Sequence, residues 1–251
     1  MDNTGKFTGK AEVYAKARPG YPQAMLDRIA QAAGIGAGAE VADIGAGTGI
    51  FSKALLLSCG CRIYGVEPNA DMRGVAERSL AADTRFTPVA GTAEDTTLPG
   101  GSVDAVTVAQ AFHWFDAEAF GRECRRILRP GGQVVLVWNS RIHDRDSVRE
   151  NEAIMREFCP AFTGFSGGIE YLDDRIASFF HGEFMVETFP NDLAFDKAGF
   201  IARNLSGSYS LQAGDARYAE YVAALEELFD RHARDGVYMQ PNETVAYWGR
   251  P

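Results

Sequence analysis

The sequence is short of cysteine and histidine, with four of each among 251 residues. Cys59 and Cys61 flank one glycine, closer than zinc ligands usually stand, and no histidine neighbours them. With Cys124 and Cys159 they read as thiols of a reducing compartment, and no metal site is expected. No run of about 18 apolar residues occurs, so no membrane-spanning helix is expected. The opening Met1-Asp2-Asn3-Thr4-Gly5-Lys6 lacks the apolar stretch of a secretory signal, which makes the cytoplasm the expected compartment. Basic residues are outnumbered, 25 against 34 acidic, for a net charge of −9. That balance disfavours non-specific attraction to nucleic acid. The densest basic run, Arg122 to Arg129, reads as a solvated helix face. Internal repeats, low-complexity segments and dividing linkers are missing too, so residues 1–251 read as one domain.

Hydrophobic residues are plentiful at 46%, enough for a full core. The stretch that organises the rest is Glu40-Val41-Ala42-Asp43-Ile44-Gly45-Ala46-Gly47-Thr48-Gly49. A short apolar run ends in an acid, breaks into alternate glycines, and continues with helical spacing through Ile50, Phe51, Ala54 and Leu55. This is a strand, a tight loop and a helix. Glycines at these positions allow a close backbone approach to a ligand, and the helix start is expected to aim free N–H groups at it.

Strand and helix alternate from there to about residue 139, the pattern of a parallel sheet with helices on both faces. Arg62–Val66 is a second strand tipped by Glu67, where a ribose diol is normally held. Asn69 caps a helix to about Ala81. Arg85–Val89 contains Pro88 and reads as a short peripheral strand. Val103–Ala109 is a buried strand, Asp116 caps a helix through Leu128, Arg129-Pro130-Gly131-Gly132 ends it, and Gln133–Asn139 is the fifth strand. Beyond lie a charged helix to Phe158, a strand over 184–195, helices over 196–205 and 215–233, and a last strand over 236–248. Before the first strand, residues 23–33 form a helix. Tyr14, Arg18 and Tyr21 precede it, either as a surface arm or as a flap over a ligand.

Two further absences narrow the ligand. A dinucleotide loop wants glycine at the sixth position, where Ile50 stands, and Asp43 would repel a pyrophosphate. No Gly-Lys-Ser/Thr closes the loop, which excludes a nucleotide-hydrolase phosphate loop. A carboxylate at Asp43 suits a ligand that carries an ammonium group.

Residues 40–49 resemble the first motif of class I S-adenosylmethionine-dependent methyltransferases. Gly65-Val66-Glu67-Pro68-Asn69 with Met72, Gly91-Thr92-Ala93-Glu94-Asp95, Leu98 to Ala109, and Ile127 to Gly132 resemble the later motifs in order. The likeness covers about residues 36–139. Residues 14–22 and Ala109-Gln110-Ala111-Phe112-His113-Trp114-Phe115 are similar to the type 11, trans-aconitate methyltransferase-like small-molecule subgroup. The resemblance implies a Rossmann-like seven-stranded sheet with one antiparallel strand, an N-terminal flap over about 1–33, and a substrate-side insertion over about 140–182.

It also implies site residues. Glu67, with Pro68 beside it, would hold the ribose of S-adenosylmethionine. Gly45, Ala46, Gly47 and Gly49 would pass under the methionine portion, with Asp43 indirectly stabilising its ammonium. Met72, Ala93 and Glu94 would flank the adenine, and Ala109 and Gln110 would line the methionyl end. Tyr14 and Arg18 would close over the cofactor. His113 would be a general base or a contact, or else a packed histidine beside Trp114. Tyr21, Trp114, Phe115 and Arg141 would face a small-molecule acceptor, with Arg18, Arg141, Arg145 and Arg203 the candidates to grip an anion. The product would be S-adenosylhomocysteine. The strand-four segment lacks the Asp/Asn-Pro-Pro-Tyr/Phe of amino-directed nucleic-acid enzymes. A protein or nucleic-acid acceptor, an NAD-type oxidoreductase and a cofactor-binding protein without turnover are the rival readings. Oligomeric state has no signal in the chain.

Overall fold

The computed structural model describes residues 20–165, 172–207 and 209–251. Seven strands make one sheet: β1 (Glu40–Ile44), β2 (Arg62–Val66), β3 (Phe86–Val89), β4 (Val103–Ala109), β5 (Leu128–Arg141), β6 (Phe184–Pro190) and β9 (Asn242–Gly249). Their order is β3-β2-β1-β4-β5-β9-β6. The first five are parallel, and β9 runs antiparallel to both β5 and β6. The chain winds outward from β1 to β3, then returns to lay β4 on the other side of β1. A crevice therefore opens at the carboxyl ends of β1 and β4, where open α/β sheets bind ligands.

Helices cover both faces. On one, Met25 and Ile29 of α1 (Gln23–Ala33) and Phe51 and Leu55 of α2 (Ile50–Cys59) pack with Val41, Ile63, Val135, Val137 and Trp248. On the other, Phe120 and Ile127 of α4 (Ala117–Ile127) and Ile176 and Phe179 of α6 (Leu172–Phe179) pack with Ile44, Val106, Val108 and Leu136. Burial on both faces explains why β1, β4 and β5 read as near-continuous apolar runs. Between α2 and α4 lies α3 (Ala70–Leu80), N-capped by Asn69 Oδ1, which accepts from Met72 N at 3.0 Å. Pro88 sits in the edge strand β3, where a missing N–H is tolerated.

A third cluster stands apart from the main sheet. Val148 and Met155 of α5 (Asp146–Phe158), Phe200 of α7 (Lys197–Leu205), and Tyr221, Leu225 and Phe229 of α8 (Tyr218–His232) share it with Phe162, Phe165 and Tyr238. A two-stranded sheet of β7 (Leu193–Phe195) and β8 (Tyr238–Gln240) joins this cap. Residues 142–165 thus pack with 195–238, whereas Ile176 and Phe179 belong to the main core.

Three expectations about elements are corrected. The single last strand is two, β8 and β9, in different sheets, because Pro241 between them has no N–H to continue a ladder. The strand over 184–195 is likewise two, β6 and β7. Helix α4 stops at Ile127, and Arg129-Pro130-Gly131-Gly132 lies within β5 as a register jump, from Val103 opposite Leu128 to Ala105 opposite Gln133. The basic run is an ion-paired surface: Arg122 with Glu118, Arg126 with Glu123 and Arg129 with Asp104. Among the described residues, no helix is long and apolar enough to cross a membrane, and no cluster of potential metal ligands occurs.

Candidate functional site

The glycine loop links β1 to α2 at the crevice. Gly45, Gly47 and Gly49 have φ of 69°, 57° and 81°. Only glycine takes such angles without strain. A Cβ on Gly45 would also lie 2.7 Å from Ala111 Cβ and 3.2 Å from the Phe115 ring. The loop amides are engaged within the protein. Gly45 N and Ala46 N both donate to Val66 O (2.9 and 3.1 Å), and Gly49 N donates to Ala46 O (2.9 Å). Gly47 N donates to Glu67 Oε2 at 2.9 Å. Gly45, Ala46, Gly47 and Gly49 are thus committed within the protein, whereas the expected free N–H groups belong to the first turn of α2, which begins at Ile50. These four amides form no phosphate nest.

Glu67 stands at the tip of β2, and its other oxygen accepts from Asn69 N at 2.9 Å. Arg73 donates to the Glu67 carbonyl at 2.7 Å and to that of Pro68 at 3.3 Å. Burial pushes the Glu67 carboxyl above its ordinary pKa, while the Asn69 and Gly47 N–H groups and the Arg73 cation act against the rise. A carboxylate offers about four lone-pair sites, and the two backbone bonds leave sites for a diol. The Met72 side chain reaches the loop, 3.3 Å from where a Cβ on Gly47 would stand. Ala93 is buried, and exposed Glu94 is oriented by accepting from Asp116 N at 3.0 Å, just ahead of α4.

Asp43 lies beneath the loop, 1% exposed. Its carboxylate accepts from Ser52 Oγ of α2 (2.5 Å) and Thr107 Oγ1 of β4 (3.0 Å), tying three elements together. Burial raises its pKa from 3.8 to about 6, with the Glu67 charge adding to the rise and the two hydroxyls opposing it. A carboxyl raised in the fold adds stability below its unfolded pKa, and that stability is lost as pH climbs through the folded value. The window is thus pH 3.8 to about 6, worth about 3 kcal/mol. Urea unfolding of wild type and Asp43→Asn across this window checks the point. The wild type is expected to lose that increment and the variant not to. Equal slopes would sink the assignment.

At the end of β4, Gln110 adopts φ 60°, and its side chain reaches Asn139 O at 3.4 Å. A non-glycine residue held there stores strain, which gathers at functional sites. Ala109 precedes it on the half-buried strand end. The short 3-10 turn Phe112–Trp114 follows. The His113 ring packs on Trp114 at 4.6 Å, and Trp114 is 42% exposed. Phe115 turns back against Gly45 and the Phe120 ring, so it supports the loop as well as walling the crevice. Arg175 of α6 clamps this turn, donating to Phe115 O at 2.9 Å and His113 O at 3.4 Å. No motif pointed to Arg175.

Arg141, the last residue of β5, is buried with its guanidinium 3.6 Å from the Phe165 ring centroid. Tyr21 packs edge-on to Phe51 at 4.7 Å, in contact with the helix that follows the glycine loop. Just before it, Gly20 O accepts from Asn139 Nδ2 (3.3 Å) and Asn191 Nδ2 (3.2 Å), which fixes this segment to the end of β5. Tyr14 and Arg18 lie outside the described residues. Arg145 is paired with Asp144, at the surface.

A family model described as a methyltransferase domain matches residues 42–136. An uncharacterized methyltransferase of Geobacillus kaustophilus is 31% identical over 61% of this chain and 74% of its own length. The chain belongs to the S-adenosylmethionine-dependent methyltransferases. An uncharacterized methyltransferase of Mycobacterium tuberculosis is 38% identical over 160 residues, and the match spans 63% of this chain and 63% of that relative. A solved structure of an Anaeromyxobacter dehalogenans protein, assigned as a type II methyltransferase, superposes with a TM-score of 0.61 at 23% identity. It covers 93% of this chain and 97% of the other, and it shows the fold alone.

Proposed function

We propose that the protein transfers a methyl group from S-adenosylmethionine to an O, N or C atom of a small molecule and releases S-adenosylhomocysteine. The observation that carries this is the pairing of a glycine loop, its Gly45, Ala46, Gly47 and Gly49 amides already bonded, with Glu67 at the neighbouring strand tip. A pyrophosphate would find those N–H groups taken, whereas a ribose diol meets a carboxylate with free lone pairs.

When bound, S-adenosylmethionine supplies an electrophilic methyl group on a sulfonium. The chain's own part is to hold and to align. Glu67 accepts the ribose hydroxyls. Met72, Ala93 and Glu94 border the adenine, and the charge of Asp43 under the loop favours the ammonium group. Ala109 and Gln110 set the methionyl end beside the turn that carries His113. Alignment and exclusion of water do most of the work, because the leaving group is neutral. His113 would draw a proton from a phenol or amine acceptor. A carboxylate acceptor needs no base, since it is ionised at neutral pH.

Trp114, Phe115, Tyr21 and Arg141 face the acceptor side. Arg141 and the likeness of residues 14–22 and 109–115 to trans-aconitate-type enzymes support an acid group on the acceptor. The charge of −9 speaks against a nucleic-acid acceptor, and the proposed setting is the cytoplasm, away from membranes. Calorimetry with S-adenosylmethionine and NAD in parallel tests the reading. Saturable heat is expected with the first and none with the second, and the reverse result overturns it.

A further inference from the structure

One side chain far along the sequence grips the turn that carries His113. Arg175 of α6 is half-buried, and its Nη2 donates to Phe115 O at 2.9 Å while its Nη1 makes a weaker bond to His113 O at 3.4 Å. The same guanidinium lies over the Phe112 ring, 5.4 Å from its centroid. The turn's own bonds use other oxygens: Ala111 O accepts from Trp114 N at 2.9 Å, and Phe112 O from Phe115 N at 3.1 Å. A planar fork that bonds two carbonyls and lies over a ring fixes orientation as well as distance, which a lysine point charge does not.

Both sides of this grip are anchored. Helix α6 is set on the main core by Ile176, which is fully buried, and by Phe179, whose ring meets Phe112 at 5.0 Å and stacks on Phe120 at 5.4 Å. On the far side of the turn, Ala111 Cβ and the Phe115 ring press on Gly45, 2.7 and 3.2 Å from where a Cβ would stand there. Beyond Gly45 the loop is tied to Val66 O and Glu67. A continuous line of contact therefore runs from α6, through the turn, to the glycine loop.

We infer that Arg175 is a positioning residue for the cofactor crevice. It holds the turn so that Ala111 and Phe115 keep the glycine loop in its left-handed path, and so that His113 and Trp114 keep their place beyond β4. It acts through the turn and not on the cofactor. Without the fork, His113 O and Phe115 O lose a charged donor, the turn is held by its backbone bonds and ring packing alone, and Phe115 is free to leave Gly45. The shape of the loop thus depends on a helix 60 residues further along the chain.

Hydrogen exchange of the full chain without ligand, followed by mass spectrometry, tests this independently of the cofactor reading. In Arg175→Ala, peptides covering 44–49 and 111–116 are expected to exchange about 10-fold faster than in the wild type. Ile176→Val, which removes one buried methyl from the same helix and no donor, is the control for lowered stability and should leave both segments unchanged. Millimolar methylguanidinium should restore protection in Arg175→Ala, and Arg175→Lys should recover part of it. Calorimetry, which rests on the proposed cofactor, should show S-adenosylhomocysteine binding about 10-fold more weakly to Arg175→Ala and unchanged in Ile176→Val. A wild type that binds no S-adenosylhomocysteine would count against the cofactor reading and leave the exchange result to decide the role of Arg175. Unchanged exchange in Arg175→Ala, faster exchange at the turn but not at the loop, an equal effect of Ile176→Val, or no restoration by methylguanidinium would overturn the positioning role. Binding of S-adenosylhomocysteine to Arg175→Ala at wild-type affinity would overturn it as well.

Discussion

Replacing Glu67 with alanine is expected to weaken S-adenosylhomocysteine binding by at least about 100-fold. The carboxylate has two tasks at once. It fixes the loop through Gly47 N and the start of α3 through Asn69 N, both at 2.9 Å, and in the proposed function its remaining lone pairs take the ribose. Hydrogen bonds to a charged group are worth about 1.5–3 kcal/mol each. Losing the contacts to the diol alone therefore exceeds the roughly 2.7 kcal/mol that 100-fold represents. Glu67→Gln should fall between, near 10-fold, because its NH2 must turn against one of the two N–H donors. Calorimetry on both variants, with folding checked by thermal melts, reads the effect. An unchanged Kd in Glu67→Ala would remove the ribose from this strand tip.

The second large effect is on stability. Gly45→Ala should cost about 3 kcal/mol, and Gly34→Ala about 1 kcal/mol. Both glycines have positive φ, 69° and 66°. They differ in surroundings: a Cβ at Gly45 runs into Ala111 Cβ at 2.7 Å, while nothing lies within 4 Å of one at Gly34. Backbone strain is common to the pair, so the difference isolates the steric part. Urea unfolding curves measure it, and equal losses would show that the loop does not depend on its close approach to the β4 tip.

The sheet and the loop were legible in the sequence because their signals are local. Alternate glycines after an apolar run and an acid at the next strand tip each act within a few residues of one another. What the glycines were doing was not legible. Nothing local says where their amides go: Gly45 N bonds Val66 O and Gly47 N bonds Glu67, and only the pairing of β1 with β2 brings those acceptors near. The same reason hid Arg175, whose carbonyl partners lie 60 and 62 residues away in the chain. Helical periodicity identified α5, α7 and α8, but periodicity says which face is apolar, not which neighbour covers it. The cap therefore emerged only from packing. Pro241 was visible and under-read: a residue that cannot continue a ladder marks the passage from one sheet to another.

The position of β9 has a consequence for the order of assembly. It lies between β5 and β6, pairing with β5 from Val134 opposite Gly249 to Arg141 opposite Asn242, and with β6 along nearly its whole length. On the ribosome, β1 to β5 each emerge beside a strand that already exists or soon follows. Strand β6 emerges with no partner in that sheet until β9 arrives between it and β5. Until then β5 and β6 both present open edges, which are the surfaces through which nascent chains stick to one another. Synthesis of β9 is thus the event that joins β6 to the sheet.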